Sequence, residues 1–483
     1  MAQPIGRASR RRFVKLGAAA IGIAAADRSG VIALRPDDQQ PSASRAPVVD
    51  GEFLTDAASR EMAAADYGGF VHRVPRAVLR PASVDDVRRI VDYASSNGIK
   101  LTMRGRGHSL YGQAQAVDGI VVDSSSLHAI RWPNAAMVDV EAGSSWSDVA
   151  KATIARGLIP PVMPDALMLS VGGTLSVGGT GETTHRYGAQ VDHVIELDVV
   201  TGTGRLVTCS ATRDAALFEM TLAGLGQCGI LVRARLRLIP APASITVQPW
   251  RYDNLTVLLE DLRRLAADES VATIAGEITR TADGGWRRSV LAGTTASKES
   301  DARVDWRSSL RFTNADAPTT SSYWEYLDRR TASVAAGRAR REANPSLAVA
   351  VPFDGAAPLL THVSSDTGAA QGIWRIEVLP LVTARFTQPL FKVPGGIFAF
   401  TLRFQRRRAT EDVAGGAAML AANQELVRRA IAAGGKVYPP YAPAFPAEGW
   451  RDHYGASTWE RLAAAKLRYD PNRILTPGAG VFA

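Results

Sequence analysis

Four stretches of the sequence carry residue types that could do chemistry. The first is Arg104-Gly105-Arg106-Gly107-His108-Ser109, followed by Gln113. Glycines let a backbone approach a ligand closely, and their N–H groups can cradle phosphate oxygens. The two arginines favour an anion, and a histidine inside such a loop is within reach of a cofactor's reactive carbon. The same residues also read as a basic turn with a surface histidine. The second stretch, Val171-Gly172-Gly173-Thr174-Leu175-Ser176-Val177-Gly178-Gly179-Thr180-Gly181, offers small hydroxyls and unblocked amides of the kind that line a pyrophosphate. Flexible linkers seldom alternate with Val and Leu in this way.

The third stretch, Gly224-Leu225-Gly226-Gln227-Cys228-Gly229, matches Gly-x-Gly-x-x-Gly in form. A nicotinamide site needs strand, then glycines, then helix. Here the pattern predicts a helix before and a strand after, which excludes that reading. The fourth is Asp165 between Pro164 and the apolar run Ala166-Leu167-Met168-Leu169. A lone carboxylate in apolar surroundings is poorly solvated, so its pKa rises and it can take a proton. Asp after Pro also starts helices, so a capping role stays open. His72, His128, His185, His193, His362 and His453 are scattered without ligand spacing, which gives no metal site.

The elements that must position these residues follow from periodicity. Strands are expected at Arg76–Pro81, Lys100–Arg104, Gly119–Asp123, Met137–Glu141, Val191–Thr201, Arg205–Cys209 and Gly229–Leu238. Helices are expected at Ser83–Asn97 (Ser83 as N-cap), Ser145–Arg156 and Asp214–Ala223. Beyond Pro240-Ala241-Pro242, strands Ala272–Arg280, Trp374–Leu379 and Ile397–Gln405 mix with helices Leu255–Ala267 and Gly416–Ala433. A last helix is expected at Ala456–Tyr469.

Length and charge set the frame. A length of 483 residues suggests more than one domain, and 46% hydrophobic with 21% charged residues is globular. Only Cys209 and Cys228 are present, which excludes a disulfide framework and leaves one bridge open. The net charge of +9 invites a nucleic-acid partner until its location is considered. Arg7, Arg10, Arg11, Arg12 and Lys15, with no acid, lie in residues 1–26, so removing that segment would leave +4. Ser9-Arg10-Arg11-Arg12-Phe13-Val14-Lys15, the apolar run Leu16–Ala26 and the small Ala24-Ala25-Ala26 form an export signal. Its pattern resembles the bacterial twin-arginine type, which implies a periplasmic or secreted protein. The run of about 11 residues is short of the roughly 20 that span a bilayer.

Together, these motifs resemble the flavin-linked oxidases of vanillyl-alcohol-oxidase type, and most closely the cytokinin dehydrogenases. The resemblance rests on four segments: Arg104 through Gln113; Asp165 with Ser170 to Ser176; Leu217-Phe218 through Gly229-Ile230 to Arg235; and Lys466 through Asp470-Pro471-Asn472 to Gly478. It implies an α+β fold: a two-part FAD-binding domain of vanillyl-alcohol-oxidase type with an inserted α+β substrate domain. The corresponding boundaries are an export signal over 1–26, a linker over 27–59, the first part of the FAD domain over 60–240, a substrate domain over 241–435, and a closing segment over 436–483.

The resemblance further implies a cofactor site of Met103, Gly105, Arg106, Gly107, His108, Ser109, Gln113, Asp165, Ser170, Ser176, Thr180, Ile230 and Tyr438. His108 would carry FAD covalently through its 8α carbon. Asp165 would be the base for a secondary-amine substrate, and Glu277 a second acid that holds a purine, unless it is an exposed strand carboxylate. The expected reaction oxidises the C–N bond that joins N6 of a substituted adenine to its substituent, as in cytokinins. A quinone or oxygen would be the electron acceptor, in a monomer without nucleic-acid partner or membrane span. An FAD-linked alcohol, sugar or lactone oxidase is the alternative. Against the last stands His453-Tyr454-Gly455-Ala456, which lacks the lysine of the lactone oxidases' His-Trp-Gly-Lys. The second flavin segment has no Cys, so attachment would be single. Ala479 stands where the family has Gln, and Asn344-Pro345-Ser346-Leu347 lacks the expected Trp.

Overall fold

The computed structural model describes residues 47–295, 309–332, 342–368, 370–408, 413–442, 445 and 447–482; the expected export signal lies outside them. Residues 47–59, expected as the end of a linker, are structured instead. Strand Glu52–Leu54 pairs with Ala77–Arg80, and helix Ala57–Ala64 starts behind Asp56, whose carboxylate accepts from Ser59 N. The anchor is Asp86, fully buried, whose carboxylate accepts from Asp50 N at 2.8 Å and Gly51 N at 2.9 Å.

Ala77–Arg80, Ile120–Asp123 and Leu101–Arg104 run parallel in that order, and helix Val84–Ser96 makes the crossover that parallel strands require. Its Val87, Ile90, Val91 and Ala94, spaced one helical turn apart, are buried against the sheet. The Ser83 hydroxyl forms no cap; Asp86 takes the Ala82 N–H instead, at 2.9 Å. A second, antiparallel sheet runs Ile130–Asn134, Met137–Glu141, Ile230–Arg237, Val194–Val200, Leu206–Ser210. Alternation sends Val138, Val140, Leu197, Val199 and Ala234 into the core. Asp139, Glu196, Asp198, Arg233 and Arg235 ion-pair on the other face. The hairpin is as expected, but residues 190–193 form a 3₁₀ turn rather than strand. Cys209 and Cys228 are buried and free.

An antiparallel sheet, nine-stranded among the described residues, follows. In its centre, Thr273–Arg280 pairs with Ile373–Val382, which pairs with Phe398–Arg406, then Leu347–Pro352. One face is apolar: Ile274, Ile278, Ile376, Val378, Phe400, Leu402, Phe404 and Val349 form a core with helices Leu255–Ala266, Phe353–Ser365 and Val413–Ala432. The period of two then puts Glu277, Arg375, Glu377, Arg403 and Gln405 on the opposite face. Glu277, Glu377 and Arg403 are direct neighbours in register, a row of charge across three strands.

The last forty residues return to the first sheet. Helix Ala456–Tyr469 ends at Asp470, whose carboxylate accepts from Ile474 N and Leu475 N, both at 3.0 Å. Leu101 N donates to Ile474 O and Thr476 N to Leu101 O, so the closing segment is stitched to the strand that precedes the histidine loop. Lys466 Nζ, buried, contacts Asp470 at 2.7 Å and donates to Gln227 O and Leu475 O. Removing one partner of a buried ion pair typically costs about 3–5 kcal/mol. Lys466→Met is therefore expected to lower unfolding free energy by about 3 kcal/mol. An unchanged denaturant midpoint would contradict that reading.

Candidate active site

Strand Leu101–Arg104 runs directly into the histidine loop. Arg104 folds back under it: Nη1 donates to Ala65 O at 2.7 Å and Ala63 O at 3.3 Å, and a Cβ on Gly107 (φ 62°) would overlap its guanidinium. Arg104 thus shapes the loop, and only Arg106 of the pair lines the cavity beside it. Asp66 accepts from Gly112 N at 2.6 Å and Gly69 N at 3.0 Å, and Tyr67 stacks on the His108 ring with centroids 4.0 Å apart. On the far side, Gln113 Nε2 donates to Pro439 O at 2.6 Å and Leu110 N to Pro440 O at 3.3 Å. The loop and the Tyr438–Tyr441 segment are held together.

The second glycine stretch starts as a short helix, Val171–Leu175, that lies so close to Ala142 that a Cβ on Gly172 would overlap it. It ends with Gly178 and Gly179 at positive φ, and Gly179 N donates to Tyr438 Oη at 3.3 Å. Residues 224–229 have helix Ala215–Thr221 before and strand Ile230–Arg237 after, the reverse of a dinucleotide-binding turn. These three stretches enclose one long cavity. Met103, Gly105, Arg106, Gly107, His108, Ser109, Gln113, Asp165, Ser170, Ser176, Thr180, Ile230 and Tyr438 all line it.

A second cavity adjoins the first, and His108, Asp165, Ala166, Arg403 and Tyr441 line both. Its other walls include Tyr67, Asn344, Ser346, Trp374 and the guanidiniums of Arg330 and Arg375. Asp165 is half-buried but not alone. Its Oδ2 lies 3.0 Å from Arg403 Nη1 and 3.4 Å from Arg330 Nη1. Behind the arginines stand Glu377, fully buried, with Arg330, Arg403 and Arg375 at 2.8, 2.9 and 3.0 Å; Glu277, with Arg375 and Arg330 at 2.5 and 2.8 Å; and Glu182, with Arg329 at 2.6 Å and the Tyr326 hydroxyl. Burial pushes Asp165 above the usual carboxylate range; the charge of Glu377 adds to this, and Arg330 and Arg403 oppose it. Burial would raise Glu377 too, but Arg403, Arg375 and Arg330 outweigh it and hold that carboxyl well below the usual range.

Similarity to known proteins agrees with this arrangement. Residues 75–210 match the FAD binding domain model, and residues 390–482 match the model described as cytokinin dehydrogenase 1, FAD and cytokinin binding. An uncharacterized oxidoreductase of the fasciation locus of Rhodococcoides fascians is 34% identical, covering 89% of this chain and 99% of that protein. Cytokinin dehydrogenases 7 and 8 of Oryza sativa subsp. japonica are 30% and 31% identical, covering 90% and 87% of this chain and 92% and 90% of their own lengths. The chain belongs to the FAD-dependent oxidoreductases related to cytokinin dehydrogenases. Its fold is the two-domain α+β fold of that family.

The long cavity fits FAD. The N–H groups of Gly105, Gly107 and Ser109 donate to no acceptor among the described residues, and Ser109 Oγ is buried without a partner. Such groups persist where a ligand satisfies them. Three sequence expectations need correction. Asp165 is not a lone carboxylate, because strand alternation on the large sheet brings Arg403 and Glu377 against it. Nor is it a helix cap, since the next helix begins at Val171 behind Ser170. Glu277 lines neither cavity; it is held by Arg330 and Arg375, which line the second.

Sequence reasoning missed Tyr67, Glu182, Arg330, Arg375, Glu377, Arg403 and Tyr441. The strand residues had a signal: Arg375, Glu377 and Arg403 interrupt Val/Ile/Leu/Phe runs at a period of two, which marks a sheet face that is not core. Arg330 and Glu182 had none.

The fit has a steric test. A Cβ on Gly105 would overlap Ser170 Oγ, where the first two loops meet. Gly105→Ala is expected to lower the FAD content of purified protein, read as the ratio of flavin to protein absorbance. Adding Ser170→Ala should recover part of it. Full loading of the single variant would contradict the close approach.

Proposed function

We propose that the protein oxidises the C–N bond between N6 and the substituent of N6-substituted adenines, with FAD held covalently by His108 and Asp165 as the base. What carries the reading is that His108 and Asp165 line both the long cavity and the second one, so cofactor and substrate would meet between them. Several relatives along most of the chain are cytokinin dehydrogenases, which supports this substrate class. When bound, FAD supplies a hydride acceptor.

The protein's own residues do the rest. The backbone N–H groups of Gly105, Gly107 and Ser109 and the hydroxyls of Ser170, Ser176 and Thr180 would hold the cofactor's polar groups, with Tyr438 lining the cavity. Asp165 accepts the proton of the substrate's secondary amine as the hydride leaves the adjacent carbon. The C–N bond becomes an imine, and water then splits it into adenine and an aldehyde. Trp374 and Tyr441 supply aromatic faces, and the half-buried setting keeps the base desolvated. We further propose that residues 1–26 direct export by the twin-arginine route. Replacing Arg10 and Arg11 with Lys should then leave the protein in the cytoplasm, and unchanged export would refute it.

The chemistry is tested by rapid mixing with N6-isopentenyladenine beside a set of sugars and alcohols. Only the adenine derivative should bleach the flavin, and Asp165→Asn should slow bleaching about 100- to 10,000-fold, the usual value of positioned proton transfer. The proton is accepted by the ionised carboxylate, and its pKa is raised. The rate is therefore full above that pKa and falls as pH drops through it, at higher pH than an exposed Asp would give. Acid-denatured wild-type protein should stay yellow, with the flavin mass on the His108 peptide. His108→Ala should release its flavin. Bleaching by a sugar alone, or covalent flavin in His108→Ala, would sink the proposal.

A further inference from the structure

Glu377 is a fully buried carboxylate that lines neither cavity, yet it is tied to the cavity wall by three arginines. Two of them are shared with Asp165, and through the same atoms. Arg403 Nη1 lies 2.9 Å from Glu377 Oε2 and 3.0 Å from Asp165 Oδ2. Arg330 Nη1 lies 2.8 Å from Glu377 Oε1 and 3.4 Å from Asp165 Oδ2. Arg330 hydrogen-bonds Glu377, whereas the hydrogen bond of Arg403 goes to Asp165 and its contact with Glu377 is an ion pair. Sheet register fixes the arrangement, since Glu377 is paired directly with Arg403 on one side and Glu277 on the other.

We infer that Glu377 is a positioning residue for the reaction: by sharing Arg330 and Arg403, it leaves Asp165 able to accept a proton. The inference rests on Asp165 as base. A carboxylate gripped by two guanidiniums alone would be fixed in its ionised form and make a weak base. With Glu377 present, the arginines stay compensated after Asp165 is protonated, so no buried cation is left unpaired at that moment.

The other groups around Asp165 do not substitute for Glu377. Glu182 is drawn to Arg329 and the Tyr326 hydroxyl and reaches Arg330 Nη2 at 3.0 Å, but among the described residues it makes no ion pair with Arg403. Glu277 reaches Arg330 and Arg375 but is more exposed. His108, Tyr67 and Tyr441 share the cavity with Asp165 and carry no negative charge near neutral pH. The directions of the two acids agree with the geometry: Asp165 is pushed up, partly by Glu377, and Glu377 is held down by its arginines.

The test is the pH profile of flavin bleaching by saturating N6-isopentenyladenine in the holoprotein. Glu377→Gln should move the acidic limb about one pH unit lower and slow the plateau about tenfold, because Asp165 becomes a weaker base. Glu377→Asp, which keeps the charge, should leave the limb within a few tenths of wild type. Arg403→Gln should move it the other way, to higher pH. An unmoved limb in Glu377→Gln overturns the inference. Should that variant fail to yield holoprotein, an unmoved or lowered limb in Arg403→Gln overturns it instead. Asp165→Asn in the same assay separates the two levels. Wild-type bleaching there removes Asp165 as base, whereas slow bleaching there with unmoved limbs in the other variants removes only the role of Glu377.

Discussion

Guanidinium groups shared between Asp165 and Glu377 are the constraint on which the rest of the site depends. Buried charge is tolerated only when paired, and here four acids and four arginines ion-pair with one another within one cluster. The large sheet makes this possible. Its central strands present aliphatic and aromatic residues to three helices on one face and a row of charge on the other. One face supplies stability, and the opposite face supplies the electrostatics around the candidate base. Asp165, Glu182 and Glu377 bring carboxylate oxygens within 4.8 Å of one another, an arrangement that elsewhere can hold a metal. Here arginine nitrogens lie between them and supply the positive charge.

The flavin side is built on a different principle. Neighbouring groups approach the backbone closely at glycine, with Gly105 against the Ser170 side chain, Gly172 against Ala142 and Gly107 over the Arg104 guanidinium. This leaves the amides of Gly105, Gly107 and Ser109 without an acceptor among the described residues. The closing segment bonds to Leu101, on the strand that leads into that loop, and through Lys466 to Gln227 O, so residues far apart in the sequence form one wall. Pro439, Pro440 and Tyr441 then link the flavin side to the charged face of the sheet.

Much of this was legible in the sequence, and for identifiable reasons. The parallel strands, the crossover helix and the hairpin carry strong hydrophobic periodicity. Glycine spacing singled out three loops that all line the long cavity. Local charge was less legible. Arg104 and Arg106 are two residues apart, yet one shapes the loop and the other faces the cavity. Asp165 and Glu277 were both singled out, but their surroundings depend on strands about 100 to 240 positions away. Linear spacing does not reveal which face of a distant strand an arginine occupies until the register is known.

The most direct measurement is flavin bleaching by N6-isopentenyladenine carrying deuterium on the substituent carbon bonded to N6, with the products quantified. Hydride loss from that carbon predicts bleaching several-fold slower than with the unlabelled compound, and equal amounts of adenine and aldehyde. Equal rates with full bleaching would mean that breaking this bond does not limit reduction, and adenine without aldehyde would contradict the account outright.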